Sequence, residues 1–143
     1  MAAVDYFLKM DGIPGDSMDR EHKDEIEILS FSLGESIVGD PAGGGGAGGK
    51  VIMQDIHFTA NFNKASPVLF KSCATGKHVP SAVLTGRMAD QGSMNFYKVK
   101  FDDVLVTSYN TSGADDAVPT DQFSLNFAKI DYNGETFDRG GVA

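Results

Sequence analysis

Apolar and polar residues alternate along most of the chain with the period of two that is typical of β-strands. β-branched and aromatic residues are enriched in these stretches, and turn residues separate them, so the pattern predicts roughly seven strands. The run Met94 to Asn110 is long enough to be one strand bulged near Asp102 and Asp103, or two strands. The predicted strands are Val4 to Lys9, Glu25 to Leu33, Val51 to Asn61, Ser81 to Met88, Met94 to Asn110 and Gln122 to Asn133.

The same pattern predicts connections and faces. Asp90 to Gly92 suits a hairpin turn, and Ser112 to Asp121 is predicted to be a polar, acidic loop. In the second strand, the period of two puts Ile26, Ile28, Ser30 and Ser32 on one face. In the last strand it puts Phe123, Leu125, Phe127 and Lys129 on one face.

One short helix is predicted at about residues 66–75. Ser66 is a residue type that caps helices, and Pro67 suits the first helical position, where its missing N–H is not needed. Gly76 suits the end of the helix. Leu69 and Cys73 share one face, so we expect the helix to pack on a sheet. Because strands and helices do not alternate, the fold class is mainly β, an antiparallel barrel or sandwich.

The stretch from Gly34 to Lys50 interrupts the strand pattern and is predicted to be a long loop. Six of the ten residues from Pro41 to Lys50 are glycine. Glycine loses more backbone freedom on ordering than any other residue, so such a run needs support from outside itself. It suits a linker between domains, a loop that binds phosphate, or an arm that orders against a neighbouring subunit.

Context separates these three interpretations of the glycine run. Gly44 to Lys50 fits G-x-x-x-x-G-K, but Val51 follows where a phosphate-binding loop needs Ser or Thr, and a strand pattern follows where it needs a helix. Only about forty residues precede the run, which is marginal for a separate core. An arm on an assembling subunit therefore fits best. In a symmetric ring, one surface of each copy meets a different surface of the next copy, and a flexible arm can reach across such an interface.

Composition limits the class of protein further. The 143 residues suit a single domain, residues 1–143. A net charge of −8 argues against nucleic acid as a partner, because phosphate binding needs a basic surface. No apolar run approaches the ~20 residues of a membrane span, and the first residues lack the features of a secretory signal. We therefore expect no membrane insertion and, if the protein is exported, a route without a cleaved signal peptide.

Residues that could carry chemistry are scattered. His22, His57 and His78 have no paired spacing typical of metal ligands, and the chain has one cysteine. The adjacent carboxylates at 102–103 point to opposite faces of a strand, and those at 115–116 suit a solvated turn. The sequence therefore predicts no catalytic residue, metal or cofactor, and a protein that is not an enzyme.

Ordered short motifs across almost the whole chain carry a family resemblance. They include Asp5-Tyr-Phe-Leu-Lys9, Gly12-Ile-Pro-Gly-Asp-Ser17, Glu25-Ile-Glu-Ile-Leu-Ser30, Phe31-Ser-Leu-Gly34, Gly43 to Lys50 with Gln54-Asp55, Lys64-Ala-Ser-Pro67, Gly76-Lys-His78, Val104-Leu-Val106 and Ser124-Leu-Asn-Phe127. In these residues the chain resembles the Hcp family, the haemolysin-coregulated proteins of bacterial type VI secretion systems.

The resemblance implies a β-barrel of two sheets with one flanking helix and a long extended loop. It implies a structural subunit: six copies form a ring, and stacked rings form the inner tube of a contractile machine, inside a sheath and under a spike. The tube is made in the bacterial cytoplasm and then exported, and its lumen carries small effector proteins. Subunit contacts are implied for the loop, whose candidate residues are Gly34, Asp40, Pro41, Gly43, Gly44, Gly45, Gly46, Ala47, Gly48, Gly49 and Lys50.

The resemblance also places the segment Phe31 to Gly34 on a strand that lines the channel, and alternation makes Ser30 and Ser32 the candidates that face it. The chain departs from many members at residues 134–143, a brief polar tail predicted to be frayed, where those members have a longer tail with tryptophan. Two other functions stay open. One is a monomeric secreted carrier or binding module, and the more remote one is a nucleotide-binding enzyme that uses Gly44 to Lys50.

Overall fold

A computed structural model describes residues 4–38, 50–88 and 95–138, and the elements named below lie in these ranges. Strands dominate, as the alternation predicted. In chain order the elements are β1 (Val4–Met10), β2 (Ile26–Ile28), β3 (Ser30–Ser32), β4 (Glu35–Val38), β5 (Lys50–Met53), β6 (Ile56–Asn61), α1 (Ser66–Thr75), β7 (His78–Met88), β8 (Asn95–Ala114), β9 (Ala117–Tyr132) and β10 (Glu135–Asp138).

Most of the described strands belong to one antiparallel sheet with the order β2-β1-β7-β8-β9-β6-β3, and β10 pairs with β9. The two strands at the ends of this order, β2 and β3, are separated in the chain only by Leu29. The sheet therefore curls until its ends approach, which nearly closes a barrel and leaves few free edges. The strands β4 and β5 form a second, two-stranded sheet. The predicted fold class, an antiparallel barrel with one helix, is confirmed.

Side chains at alternate strand positions fill the barrel. Phe58 stacks on Phe123 with ring centroids 5.2 Å apart, and Phe101 packs on Phe127 at 5.0 Å. All four rings are at most 1% exposed. Each such burial contributes about 1.5–3 kcal/mol relative to exposure, so this inner layer supplies most of the driving force for folding.

The predicted strand Glu25 to Leu33 is two strands that pair with different neighbours. β2 pairs with β1, and β3 pairs with β6. The chain bends at Leu29, which is 56% exposed and donates its N–H to the Thr59 carbonyl at 2.7 Å. Because the bend breaks the alternation, Ile28 points into the core while Ser30 is exposed. The prediction that these two residues share a face was wrong.

The predicted loop Gly34 to Lys50 is partly strand. Its first part forms β4, which pairs with β5 so that Glu35 lies opposite Met53. Residues 39–49 lie outside the described residues. The predicted strand Val51 to Asn61 is interrupted at Gln54 and Asp55, where Gln54 donates its N–H to the Gly34 carbonyl at 3.0 Å. A hairpin therefore leaves the barrel and returns to it at this point.

The strands β8 and β9 form a long hairpin. The prediction of a polar loop from Ser112 to Asp121 was therefore wrong. β8 continues to Ala114, the turn has two residues, and β9 begins at Ala117. Asp116 takes a φ of 61°, which the turn requires. β8 is one strand, with Asp103 at a φ of 54° and register shifts near Thr107 and Gly113.

The helix is where it was predicted, but its start differs. Ala65 is the N-cap and makes no side-chain cap, while Ser66 is already helical and Pro67 follows in the first turn. The Ser66 hydroxyl instead donates to the buried carboxylate of Asp121 and accepts the Asn63 N–H. The predicted end is confirmed, because Gly76 adopts the left-handed conformation and donates its N–H to Ser72.

The tail is more ordered than predicted. Residues 135–138 form β10, which pairs with the end of β9 through a tight turn at Asn133 and Gly134. Lys129, predicted to share the face of Phe123, is exposed, and Ile130 is buried in its place. The predicted hairpin turn at Asp90 to Gly92 and the last residues, 139–143, lie outside the described residues.

Candidate functional site: an uncharged face of the barrel

Four neighbouring strands, β3, β6, β9 and β8, present an outer surface without any carboxylate, ammonium or guanidinium group in its paired rows. One row joins Ser32, His57, Ser124 and Ser108, each directly opposite the next. We call this surface the uncharged face. Its members, which include two further rows, are Ser30, Ser32, His57, Thr59, Asn61, Ser108, Asn110, Ser112, Thr120, Gln122 and Ser124.

Strand periodicity creates this face. In β6, Ile56, Phe58 and Ala60 are buried, so the intervening residues His57 and Thr59 must point outward. The same rule applies in β9 and β8, where Phe123 pairs with Tyr109 inside the barrel and the neighbouring pairs lie outside. The sequence therefore places an apolar inner layer and a hydroxyl- and amide-bearing outer layer on the same strands.

A hydrogen-bonded network fixes one end of the face. Ser124, only 3% exposed, lies 2.6 Å from the Ser108 hydroxyl and 2.7 Å from the Thr107 hydroxyl, measured between oxygens. Thr107 donates to the carboxylate of Asp55 at 2.8 Å, and Asn126 donates to it at 3.0 Å. The Asp55 carboxylate, which lies beside the rows, thus accepts hydrogen bonds from Thr107 and Asn126, which positions the hydroxyls around it.

A shallow depression of about 490 Å³ lies over the same rows. His57, Thr59, Asn110 and Gln122 are among the residues that line it. Hydroxyls and amides both donate and accept hydrogen bonds, so this surface can bind water or polypeptide backbone without selecting for the charge of a partner.

Another part of the barrel, formed by β1, β7 and the other halves of β8 and β9, has an outer surface of different character. There Lys9, Val83, Lys100 and Asp131 form one row across β1, β7, β8 and β9. A second row joins Ser81, Asp102 and Lys129. We call this surface, with Lys98 on the same side of β8, the charged face. Directly opposed charges of opposite sign stabilise neighbouring strands and keep an exposed sheet soluble.

Beside the charged face, the polar segment between β1 and β2, which contains Asp19 and His22, covers the outer side of β1. Phe7 is 4% exposed because the His22 ring stacks on it at 4.4 Å and the Arg87 guanidinium lies 5.1 Å from its ring centroid. Arg87 donates to Asp19 at 2.7 Å and to Asp5 at 3.4 Å. The hydrogen bond from Arg87 lowers the pKa of Asp19 from 3.8 to about 2.

His22 and His78 have polar side-chain partners nearby. His22 lies 3.0 Å from the Glu25 carboxylate and 3.3 Å from the Asn95 amide oxygen, and His78 lies 2.8 Å from Asp103. Across residues 4–38, 50–88 and 95–138, no group of three or more His, Cys, Asp or Glu side chains is arranged to hold a metal ion. In the same ranges, no helix combines the length and apolarity that crossing a membrane requires.

The residues predicted as sites fall into two groups. Ser30 and Ser32 are exposed and lie on the uncharged face, opposite Thr59 and His57. Of the predicted contact loop, Gly34 precedes β4 and Lys50 begins β5, while Asp40, Pro41, Gly43, Gly44, Gly45, Gly46, Ala47, Gly48 and Gly49 lie outside the described residues. A strand at Lys50 agrees with the sequence argument against a phosphate-binding loop, which requires a helix there.

Sequence reasoning missed the rest of the uncharged face. Thr59, Gln122 and Asn110 belong to three strands that are distant in the chain, and only the register between strands brings them together. The period of two within each strand was a usable signal for their outward direction. Which strands are neighbours, and in what register, is not encoded locally.

Comparison with known proteins identifies the class of protein. The family model described as "Type VI secretion system effector, Hcp" matches residues 7–133. Protein hcp1 of Pseudomonas aeruginosa is 39% identical over 142 residues, which cover 95% of this chain and 87% of that protein. The chain therefore belongs to the Hcp family of type VI secretion tube proteins.

Solved structures agree with this assignment. Hcp1 from Salmonella typhimurium is 37% identical, with a TM-score of 0.79 over 96% of this chain and 92% of that one. A type VI secretion system effector from Yersinia pestis is 28% identical, with a TM-score of 0.78 over 94% and 99%. The near-closed barrel with its flanking helix is thus the fold of this family.

Proposed function

We propose that this chain is a structural subunit with no chemistry of its own, six copies of which close into a ring. Stacked rings form an inner tube inside a sheath and under a spike, and the tube leaves the bacterial cytoplasm by the type VI route without a cleaved signal peptide. Family membership supports this role. In the ring, the uncharged face, including Ser30 and Ser32, lines the channel.

The observation that carries this proposal is the absence of charged groups from the rows of the uncharged face. Soluble sheets normally carry charged side chains on the outer face, as the charged face does. A channel that must release proteins of differing charge works better with hydroxyls and amides, because fixed charges attract counter-charged cargo and repel the rest.

The subunit contact is assigned to the arm that begins at Gly34 and ends at Lys50. A two-stranded sheet such as β4 and β5 is marginally stable by itself, so it needs cover from another surface. A neighbouring copy supplies that cover. The glycine run between the two strands accepts φ values that other residues resist, which suits a segment shaped by the surface it meets.

Native mass spectrometry of the purified chain tests the ring directly. We expect a complex of six copies that persists on dilution into the micromolar range. A monomer at every concentration and salt would contradict the proposal and favour a monomeric carrier that uses the 490 Å³ depression.

The arm has its own test. Replacing Gly44, Gly45 and Gly46 together by valine should abolish the hexamer while the barrel melts at the wild-type temperature, because β-branched residues resist positive φ. Gly113→Val is the matched control, since its added side chain meets open space. Loss of the barrel's own melting transition in the triple variant would show that the arm belongs to the core instead.

A further inference from the structure

His57 differs in chemistry from the other residues named for the uncharged face. Those residues carry hydroxyl or amide groups, which neither gain nor lose a proton near neutral pH. The imidazole of histidine ordinarily changes charge between about pH 5 and pH 8. A face that is uncharged while this imidazole is neutral therefore becomes positive when the imidazole binds a proton.

The strand register surrounds His57 with hydrogen-bond donors. It lies directly opposite Ser32 on one side and Ser124 on the other, and Thr59 is the next outward residue along β6. Paired positions on neighbouring strands are about 5 Å apart, and outward neighbours along one strand are about 7 Å apart. One carboxylate group can therefore contact the imidazole and a neighbouring hydroxyl together.

His57 also lines the depression of about 490 Å³ on this face. Asn110 and Gln122 line it as well, and all three side chains belong to exposed residues, so they are accessible to a ligand. Amide NH₂ groups donate hydrogen bonds to carboxylate oxygens, and a protonated imidazole adds a stronger, charge-assisted donor. The depression thus combines neutral donors with one donor whose charge depends on pH.

The other titratable groups around His57 do not supply the same change of charge. Asp55 lies beside the rows and accepts two hydrogen bonds, and Glu27 is the exposed carboxylate of β2, which contacts β6. Carboxylates ordinarily stay charged above about pH 5. Tyr109 lines the depression, and burial raises the pKa of its phenol, which therefore stays neutral. Between about pH 5.5 and pH 7.5, the change in charge at the depression comes from His57.

We propose that His57 makes the depression a site for the carboxylate side chains of acidic cargo, which bind when the imidazole is protonated and dissociate when it loses the proton. This inference rests on the proposed role of the uncharged face as a channel lining. In the proposed ring, one such site per copy would surround the cargo, and several weak contacts to one partner raise its apparent affinity. At neutral pH, loss of the positive charge would then favour release.

The test uses the full chain and two rhodamine-labelled peptides, Gly-Glu-Gly-Glu-Gly-amide and its counterpart with glutamine in place of glutamate. Fluorescence anisotropy should show that the glutamate peptide binds at least about threefold more tightly at pH 5.5 than at pH 7.5, the size of effect expected for an exposed ion pair. The glutamine peptide should show no such gain. His57→Asn should abolish the gain, and His57→Lys, which is charged at both pH values, should bind the glutamate peptide equally at both.

His78→Asn is the matched control, because it removes an imidazole that pairs with Asp103 outside the uncharged face. It should keep the full gain at pH 5.5. No gain in the wild type, or an equal gain in His57→Asn, would overturn the inference.

Native mass spectrometry at both pH values separates this inference from the proposed function. A ring whose binding of the glutamate peptide does not depend on His57 contradicts the inference alone. A monomer whose binding does depend on His57 supports the carboxylate site and contradicts its place in a channel.

Discussion

The uncharged face and the charged face share two strands, β8 and β9, and along these strands they differ on the outer side of the barrel. β8 carries Asn110 and Ser108 in one half and Lys100 and Lys98 in the other. The change occurs around Asp103, whose φ of 54° interrupts the alternation of inward and outward side chains within β8. Inside the barrel both halves bury phenylalanine. Packing inside the barrel therefore does not determine the residue types on the outer surface, and these can be adapted to what the surface contacts.

Cross-strand pairs make the contrast specific. On the charged face, Lys100 opposes Asp131, and Asp102 opposes Lys129. On the uncharged face, Asn110 opposes Gln122. Both kinds of pair are compatible with a sheet in water, and each contributes only about 0.2–1 kcal/mol. Stability thus gives no reason for the charges to be confined to one side, whereas the proposed role of the uncharged face as a channel lining does.

The largest expected effect tests whether the uncharged face and the charged face cover one continuous core. Phe58→Ala, beneath the uncharged face, and Phe101→Ala, beneath the charged face, should each lower the free energy of unfolding by about 3–5 kcal/mol in urea titrations, because each leaves a cavity in a packed core. Thr59→Ala, one residue along and outward, is the control and should change it by at most about 0.5 kcal/mol. A large loss on one side only would mean that the two halves do not share one core.

An intermediate effect is expected on the charged side at Arg87. Arg87→Ala removes two ion pairs and part of the cover of Phe7, so the free energy of unfolding at pH 7 should fall by about 2 kcal/mol. Arg20→Ala, which removes the same charge from an exposed position, should cost less than about 0.5 kcal/mol.

The same variant has a pH signature. The pKa of Asp19 is about 2 in the folded protein, against an ordinary value of 3.8, so the contribution of Asp19 to stability is present above pH 4 and is lost as the pH falls towards 2. Arg87→Ala lacks this contribution, so the gap to wild type should shrink between pH 4 and pH 2. If the difference in free energy of unfolding between wild type and Arg87→Ala stays constant through this range, the stabilisation by Arg87 does not depend on the Asp19 carboxylate.

The smallest effect on stability is expected on the uncharged face, with a separate effect on cargo. Thr59→Glu should change the free energy of unfolding by no more than about 0.5 kcal/mol and leave the ring intact. If the uncharged face lines the proposed channel, Thr59→Glu places one carboxylate per subunit in it, so acidic proteins should be depleted from the material that co-purifies with the proposed ring. Lys100→Gln shifts the net charge equally on the charged face. If the same proteins co-purify with both variants, the lack of charge on the uncharged face has no bearing on cargo.

Local pattern predicted much of this architecture. The inward direction of Phe58 and Phe123, the helix and its end at Gly76 follow from residue type and spacing alone. The outer half of the β8–β9 hairpin was misread as a loop, because residues 111–119 are exposed on both sides and their composition is that of a loop. Hydrogen bonds between backbone groups across the hairpin make these residues strand, and residue types do not reveal such bonds.

The candidate site was predicted only at its edge. Ser30 and Ser32, whose place in a channel stays a prediction, lie on the uncharged face, although the bend at Leu29 means that they do not continue the face of Ile26 and Ile28. Their neighbours Thr59 and His57 come from another strand, and a one-residue change of register would point a different set outward. Register is fixed by the whole barrel, so no local reading of the sequence could assemble the face.

The most direct test of the account is a cryo-electron microscopy map of the purified protein at a resolution that separates strands. We expect a ring of six copies in which Ser32, Thr59, Gln122 and Asn110 line the channel and Lys100 faces away from it. A ring whose channel is lined by Lys9, Lys100 and Lys129, or particles that never form rings, would contradict the central claim.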